Sequence, residues 1–186
     1  MGLGKSLTVI SVLYTVMTCP SLFSKAKNKA LLHTALFIVP ANTLANWMDE
    51  IEKWTGNLEY PFHAYNLGGT MKGFQGKVLK KWNQYGGLLL MSETHFLNAC
   101  DQIVKNYPPD ILVLDEAHTM LKNHNTKTFK KLQMVKTKRR LCLTGTPIQN
   151  NLTEYYLLLE FVRPGVVGVK SILQFKKAYR YVPWET

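Results

Sequence analysis

Short apolar runs recur along the chain and alternate with amphipathic segments. The clearest runs are residues 35–39, 88–91 and 111–114, each of which has the length of a buried strand and no two-residue alternation. Strands that are apolar throughout are typical of parallel sheets, because helices cover both faces of such sheets. The sequence therefore predicts an α/β fold in which a parallel sheet carries helices on both faces.

A strong helix signature follows the first predicted strand. Its apolar residues recur at helical spacing and are Leu44, Trp47, Met48, Ile51 and Trp54. We expect Trp47 and Trp54 to pack in the core, since both fall on the apolar face of this helix. Further helices are predicted at residues 77–83, 94–105 and 128–135 and in the tail from 154 to 179, with a break at 164–165, and weaker strands at 62–67 and 141–143.

The chain carries a net charge of +11, from 23 Lys and Arg against 12 Asp and Glu. The basic residues cluster at residues 25–29, 77–81, 127–140 and 170–180. An excess of this size indicates a polyanionic partner, nucleic acid first, although a basic surface that serves only solubility explains the charge equally well. No apolar run approaches the roughly 18 residues of a membrane span, so we expect no membrane association.

The first residues contain the second half of a phosphate-binding loop, Gly2-Leu3-Gly4-Lys5-Ser6, and a helical pattern begins at once. Glycines allow backbone N–H groups to wrap phosphates, and a helix N-terminus adds the positive end of its dipole. Lys5 would reach the β- and γ-phosphates, and the Ser6 hydroxyl would ligate Mg²⁺. A glycine-rich helix cap is the alternative. The start of the full pattern lies before residue 1, so we expect a domain truncated inside this motif.

A second motif, Asp115-Glu116-Ala117-His118, follows the apolar run at residues 111–114. Two carboxylates at the end of a buried strand are costly without a partner, and a Mg²⁺–nucleotide complex is such a partner. Asp115 would bind the metal, directly or through water, and Glu116 would orient and activate the attacking water. The alternative is an ordinary strand-to-helix turn. The phosphate-binding loop upstream weakens this alternative, because the two motifs together are typical of a nucleotide site.

A third motif is Leu-Thr-Gly-Thr-Pro-Ile-Gln-Asn at residues 143–150. Physical reasoning alone predicts only a polar turn there. Met-Gly-Leu-Gly-Lys-Ser, Asp-Glu-Ala-His and this string nevertheless resemble, in order, motifs I, II and III of the SWI/SNF family of helicase-like ATPases. Residues 40–47 resemble its motif Ia, and residues 90–94 stand where motif Ib is expected. Within the family, residues 46–54 and 81–87 are most similar to the ATRX-like remodeller branch.

The resemblance implies a RecA-like fold of the P-loop NTPase class, the first lobe of a superfamily 2 helicase-type motor, over residues 1–186. It implies ATP and Mg²⁺ as cofactors, double-stranded DNA as the partner and the nucleus as the location, with nucleosomes left open as a substrate. It also implies a second RecA-like lobe, absent from these residues, that supplies arginine fingers worth about 10³–10⁵ in rate. We therefore expect the isolated segment to hydrolyse ATP negligibly.

The family's site residues transfer to matching positions of this sequence. The nucleotide pocket would comprise Gly2, Leu3, Gly4, Lys5, Ser6, Asp115 and Glu116. His118 would link motif II to the coupling residues of motif III, which are Thr144, Gly145 and Thr146. The expected contacts to DNA phosphates are Asn42, Thr43, Ser92 and Lys122.

Two other functions fit parts of the pattern. A catalytically silent DNA- or chromatin-binding module would keep the fold, but it has no need of both Asp115 and Glu116. An RNA helicase shares the Asp-Glu-Ala-His box, but a short Ser-Ala-Thr motif III is expected there instead of the string at residues 143–150.

Overall fold

The computed structural model describes residues 4–18, 23–24, 29–30, 32–145 and 152–179, and a five-stranded parallel sheet runs through them. Two short strands, β1 (Phe23–Ser24) and β2 (Lys29–Ala30), pair antiparallel outside this sheet. The sheet strands are β3 (Thr34–Val39), β4 (Ala64–Asn66), β5 (Gly87–Ser92), β6 (Ile111–Leu114) and β7 (Arg139–Cys142). Their order is β4-β5-β3-β6-β7, so β3 lies at the centre.

Eight helices lie within the described residues, and 3-10 turns at Ala41–Thr43 and Lys72–Phe74 precede two of them. They are α1 (Lys5–Thr18), α2 (Leu44–Thr55), α3 (Gln75–Tyr85), α4 (Glu93–Asn106), α5 (Ala117–Leu121), α6 (Lys127–Met134), α7 (Leu152–Val162) and α8 (Ile172–Tyr179). Across the described part of the chain, no helix has the length and apolar character that crossing a membrane requires.

The sheet divides the core into two layers. Phe37, Leu90 and Val113 face the layer that contains α1 and α2. Leu36 and Leu89 face the opposite layer, to which α3, α4, α5, α6 and α7 contribute buried residues. Every residue of β3, β5 and β6 is buried, which explains why these strands are apolar without alternation. The predicted parallel sheet with helices on both faces is confirmed.

Most predicted elements are also confirmed, with boundaries moved by a few residues, and the tail is interrupted between α7 and α8 as expected. The pairing of β1 with β2 was not predicted. The expectation that Trp54 packs in the core is wrong, because this side chain is 39% exposed at the end of α2. There it donates a hydrogen bond to Glu50 of the same helix, 2.7 Å away, and lies under the ammonium group of Lys53.

Arg140 belongs to one of the predicted basic clusters, but its guanidinium group is partly buried. It donates hydrogen bonds to the carbonyl oxygens of Phe161, at 2.7 Å, and Val135, at 3.2 Å. It also stacks on the ring of Phe161, 4.5 Å from the ring centroid, and burial lowers its pKa below the usual value for arginine. Arg140 therefore ties the end of α7 to β7 and is not part of the free basic surface.

Gly86 and Gly87 form the junction between α3 and β5. Gly87 has a φ of +100°, and a Cβ atom there would lie 2.2 Å from the carbonyl oxygen of His63. Its own carbonyl accepts a hydrogen bond from the buried indole of Trp82 at 3.0 Å. Only glycine permits this close approach of β5 to the segment that enters β4.

Asp110 connects the starts of the central strands β3 and β6. Its Oδ2 accepts hydrogen bonds from the backbone N–H groups of His33, at 2.7 Å, and Thr34, at 2.9 Å. Its carbonyl oxygen accepts from the hydroxyl of Thr137, just before β7, at 2.6 Å. One side chain thus satisfies two donors at the amino edge of the sheet, opposite the edge where the chemical motifs lie.

We predict that Asp110→Ala lowers the free energy of unfolding by about 1–3 kcal/mol, because it leaves the backbone N–H groups of His33 and Thr34 without an acceptor. Urea denaturation followed by fluorescence measures this change. Asp101→Ala is the matched control, since Asp101 is 73% exposed and pairs only with Lys131 on the surface. A loss at Asp110 no larger than the loss at Asp101 would contradict this role.

Candidate functional site

Backbone hydrogen bonds continue the sheet past the ends of its strands and bring two predicted motifs together. The N–H of Asp115 donates to Ile38 of β3 at 2.9 Å, and the N–H of Leu143 donates to Leu114 of β6 at 2.8 Å. The N–H of Ala117 then donates back to Leu143 at 2.9 Å. The turns after β6 and β7 therefore lie side by side at the carboxyl edge, where ligands bind in open α/β sheets.

The lysine of the glycine loop reaches the same edge. Lys5 is the first residue of α1, and its Nζ lies 3.4 Å from Oε1 of Glu116. A Cβ atom on Gly145 would lie 3.6 Å from the same Nζ and 3.9 Å from Oε1 of Glu116. Residues from all three motifs thus converge in one partly exposed cluster.

Glu116 adopts an unusual backbone conformation. Its φ is 48° and its ψ is 45°, and it is the only non-glycine residue with a positive φ in the described part of the chain. The left-handed region costs roughly 1–2 kcal/mol for a residue with a side chain. Backbone strain of this kind clusters at functional sites.

His118 joins the second motif to the third. Its Nδ1 lies 2.7 Å from the hydroxyl of Thr144 and 3.4 Å from Oε2 of Glu116. The backbone N–H of Gly145 lies 3.5 Å from the same Oε2. The predicted link between His118 and Thr144 is present, and Glu116 contacts the first and third motifs at once. Thr146, the other coupling candidate, lies outside the described residues.

Asp115 is 7% exposed and both of its carboxylate oxygens accept hydrogen bonds. Oδ1 accepts from the backbone N–H of Glu116 at 3.0 Å. Oδ2 accepts from the indole N–H of Trp47 at 2.9 Å. The sequence correctly predicted that Trp47 is buried but missed this contact. The available signal was the indole N–H itself, because a buried tryptophan usually needs an acceptor.

The donor set at this edge suits Mg²⁺ better than a metal held by protein ligands alone. No group of three or more His, Cys, Asp or Glu side chains that could hold a metal ion occurs among residues 4–18, 32–145 and 152–179 or in the short described strands between them. Mg²⁺ is usually bound by one or two carboxylates together with substrate phosphates and waters. Asp115 and the partly buried Ser6 at the start of α1 are the residues that fit this pattern. Gly2 and Leu3, the first part of the predicted pocket, lie outside the described residues.

Of the four candidate DNA contacts, Asn42 and Thr43 lie just beyond the end of β3, and Ser92 is the last residue of β5. Asn42 is exposed in the 3-10 turn after β3, while the hydroxyl of the partly buried Thr43 donates to the carbonyl of Pro40 at 3.0 Å. Ser92 is buried, and its hydroxyl accepts a hydrogen bond from the N–H of His95 as the N-cap of α4. Lys122 is exposed directly after α5. Exposure thus favours Asn42 and Lys122 as contacts, whereas Ser92 has a structural partner already.

Cys142 ends β7 immediately before the third motif. Burial raises the pKa of its thiol to about 12, although the neighbouring Arg140 acts in the opposite direction. Thiolates, not thiols, are the reactive form of cysteine. The raised pKa favours the neutral thiol, which suits a small apolar side chain at the end of β7.

The chain is similar in sequence to a family of known proteins. The family described as SNF2-related domain matches residues 1–181. Protein CHROMATIN REMODELING 20 of Arabidopsis thaliana is 41% identical over 181 residues, which cover 90% of this chain and 12% of that protein. Human transcriptional regulator ATRX is 33% identical, covering 96% and 7%. Human DNA repair and recombination protein RAD54B is 33% identical, covering 96% and 18%.

The fold also matches a solved structure, the SWI2/SNF2 ATPase core of Sulfolobus solfataricus in complex with dsDNA, with a TM-score of 0.72. The match has 29% sequence identity and covers 95% of this chain and 32% of that one. The chain thus spans less than a fifth of the length of each of these three curated relatives. A family match over nearly all residues and a RecA-like sheet with the same architecture lead to one conclusion: the chain belongs to the SNF2-related domain family.

Proposed function

We propose that the chain is the first RecA-like lobe of an ATP-driven motor that moves along double-stranded DNA in the nucleus, within a chromatin-remodelling or DNA-repair protein. The observation that carries the proposal is the convergence of Lys5, Glu116 and His118 with the third motif at the carboxyl edge of adjacent strands. A module that only bound chromatin would not need a strained glutamate held between a lysine and a histidine.

Nucleotide binding in this proposal begins with Lys5. In the structure its ammonium group has the carboxylate of Glu116 as a partner, at 3.4 Å. The first N–H groups of α1, together with Lys5, form a site for phosphates. When Lys5 turns to a phosphate, Glu116 is released to orient and activate a water molecule. Asp115 and Ser6 would hold Mg²⁺, which when bound would offset the negative charge of the phosphates.

Coupling to the rest of the motor is assigned to His118 and the third motif. The hydrogen bond from His118 to Thr144 and the approach of Gly145 to Glu116 make the turn after β7 sensitive to the position of the Glu116 side chain. A change of partner at Glu116 therefore moves the third motif. We infer that this movement passes to a second RecA-like lobe elsewhere in the full-length protein, which supplies the arginine fingers.

The DNA surface is proposed at Asn42, Thr43, Ser92 and Lys122, with the exposed Asn42 and Lys122 as its direct contacts. Two observations support it: the net charge of +11 and the match to an ATPase core solved with double-stranded DNA. Contacts of these residue types to phosphates position a protein on the duplex without reading its sequence. Nucleosomal DNA is included as a substrate on the strength of the remodelling relative.

We predict that Glu116→Gln in the full-length protein lowers DNA-stimulated ATP hydrolysis by about 10²–10⁴-fold, the usual contribution of a general base. Nucleotide affinity should stay the same or increase, because Lys5 loses its competing carboxylate. Phosphate release at saturating DNA and a fluorescence titration with an ADP analogue measure the two quantities.

Glu52→Gln is the matched control for this experiment, since Glu52 is exposed on α2. It should leave both quantities at the wild-type level, and DNA binding should survive both substitutions. Hydrolysis that persists in Glu116→Gln would contradict the motor proposal. A wild-type protein without ATPase activity would favour the silent binding module.

We predict that Lys122→Ala weakens DNA binding uniformly across sequences and reduces the slope of log K against log salt by about 0.9. Binding measured at several salt concentrations gives this slope. Lys105→Ala is the control, because Lys105 is exposed near the end of α4, toward the amino edge of the sheet. Equal changes in the two variants would show that Lys122 contributes only to the general charge.

A further inference from the structure

We propose that Trp47 is a positioning residue for Asp115: its indole N–H fixes the carboxylate in the orientation that receives Mg²⁺. The inference deepens the proposed function and rests on it. The contact joins an indole nitrogen and Oδ2 of Asp115 at 2.9 Å across 68 residues of sequence. Both side chains are almost fully buried, Trp47 at 3% and Asp115 at 7% exposure.

The hydrogen bonds on Asp115 set the rotation of its carboxylate group. The N–H of Glu116 holds Oδ1 at 3.0 Å, and the indole of Trp47 holds Oδ2. A carboxylate oxygen has about two acceptor positions, so each oxygen keeps one position for a metal ion or a metal-bound water. Without the indole, the backbone N–H of Glu116 would be the remaining hydrogen bond on the carboxylate among the described residues. Second-shell donors of this kind orient the ligands of metal sites.

The packing around Trp47 keeps the donor in place. Its ring meets Phe37 of β3 edge to face, with ring centroids 5.4 Å apart. Phenylalanine at position 47 would fill much of the same space and keep an aromatic contact, but it would lack the N–H. Apolar packing accounts for a large ring at this position, whereas the hydrogen bond to Asp115 requires the N–H.

The other described tryptophans show that this contact is not a general property of tryptophan in this chain. Trp82 donates to the backbone carbonyl of Gly87, five residues away, and Trp54 donates to Glu50 on its own helix. Trp47 is thus the described tryptophan whose indole reaches a carboxylate of the candidate active site. It also stands on α2, the helix that begins directly after the candidate DNA contacts Asn42 and Thr43.

The test is a titration of the full-length protein with a fluorescent ADP analogue over a series of free Mg²⁺ concentrations and in EDTA. We expect Trp47→Phe to raise by about 10-fold the Mg²⁺ concentration at which the gain in analogue affinity is half-maximal. Loss of an outer-shell partner of a metal ligand usually weakens metal binding by about this much. Affinity for the analogue in EDTA should not change, because Lys5 and the start of α1 are intact. This readout does not depend on turnover.

Trp82→Phe is the matched control, because it also removes a buried indole donor. The acceptor of that donor is the carbonyl of Gly87 at the start of β5, and not Asp115. It should lower stability and leave the Mg²⁺ midpoint unchanged. An unchanged midpoint in Trp47→Phe, or an equal shift in Trp82→Phe, would overturn the inference while leaving the proposed function standing.

A second substitution covers the case in which Trp47→Phe leaves a cavity that disturbs the fold. Trp47→benzothienylalanine replaces the indole N–H with sulfur and keeps the ring shape, so it should shift the Mg²⁺ midpoint as Trp47→Phe does. A wild-type midpoint in this variant would overturn the inference. A wild-type protein that binds the analogue equally with Mg²⁺ and in EDTA would instead overturn the proposed function together with the inference.

Discussion

The complete burial of β3, β5 and β6 is the constraint on which the rest of the structure depends. Because both faces of these strands are apolar, helices must cover both sides, and each strand must be followed by a crossover. Polar and charged groups are then confined to the two edges of the sheet. The hydrogen bonds to Asp110 lie at the amino edge, and the chemical motifs lie at the carboxyl edge. Fold and site are therefore two results of the same packing requirement.

The carboxyl edge concentrates charged groups that satisfy one another in this structure. Glu116 interacts with Lys5 and His118, and Asp115 is held by Trp47 and the backbone. The arrangement has no isolated buried charge among these residues, which lowers the cost of placing two carboxylates at a strand end. Phosphates and Mg²⁺ offer the same residues stronger partners. The geometry therefore favours a site whose residues already lie together and change partners when a ligand binds.

Much of the fold and the position of the motifs at one edge of the sheet could be predicted from the sequence, because buried strands leave long apolar runs and the three motifs lie just after strands or before a helix. The contact between Trp47 and Asp115 could not, since it depends on how α2 packs against the sheet and not on local spacing. The inward turn of Arg140 was hidden for the same reason: in the sequence it is one more charge in a basic run. Trp54 misled because its spacing matches the apolar face, whereas Thr55 takes the buried position in the last turn of α2.

The left-handed backbone of Glu116 makes position 116 a site where substitution can raise the stability of this domain. Glycine, which adopts this conformation without a Cβ penalty, would relax position 116, and asparagine would fit it better than glutamate does. A search for thermostable variants would therefore select substitutions at this position and remove the carboxylate that we propose orients the attacking water. At Glu116, stability and the proposed activity therefore favour different residues, because the backbone there has a positive φ.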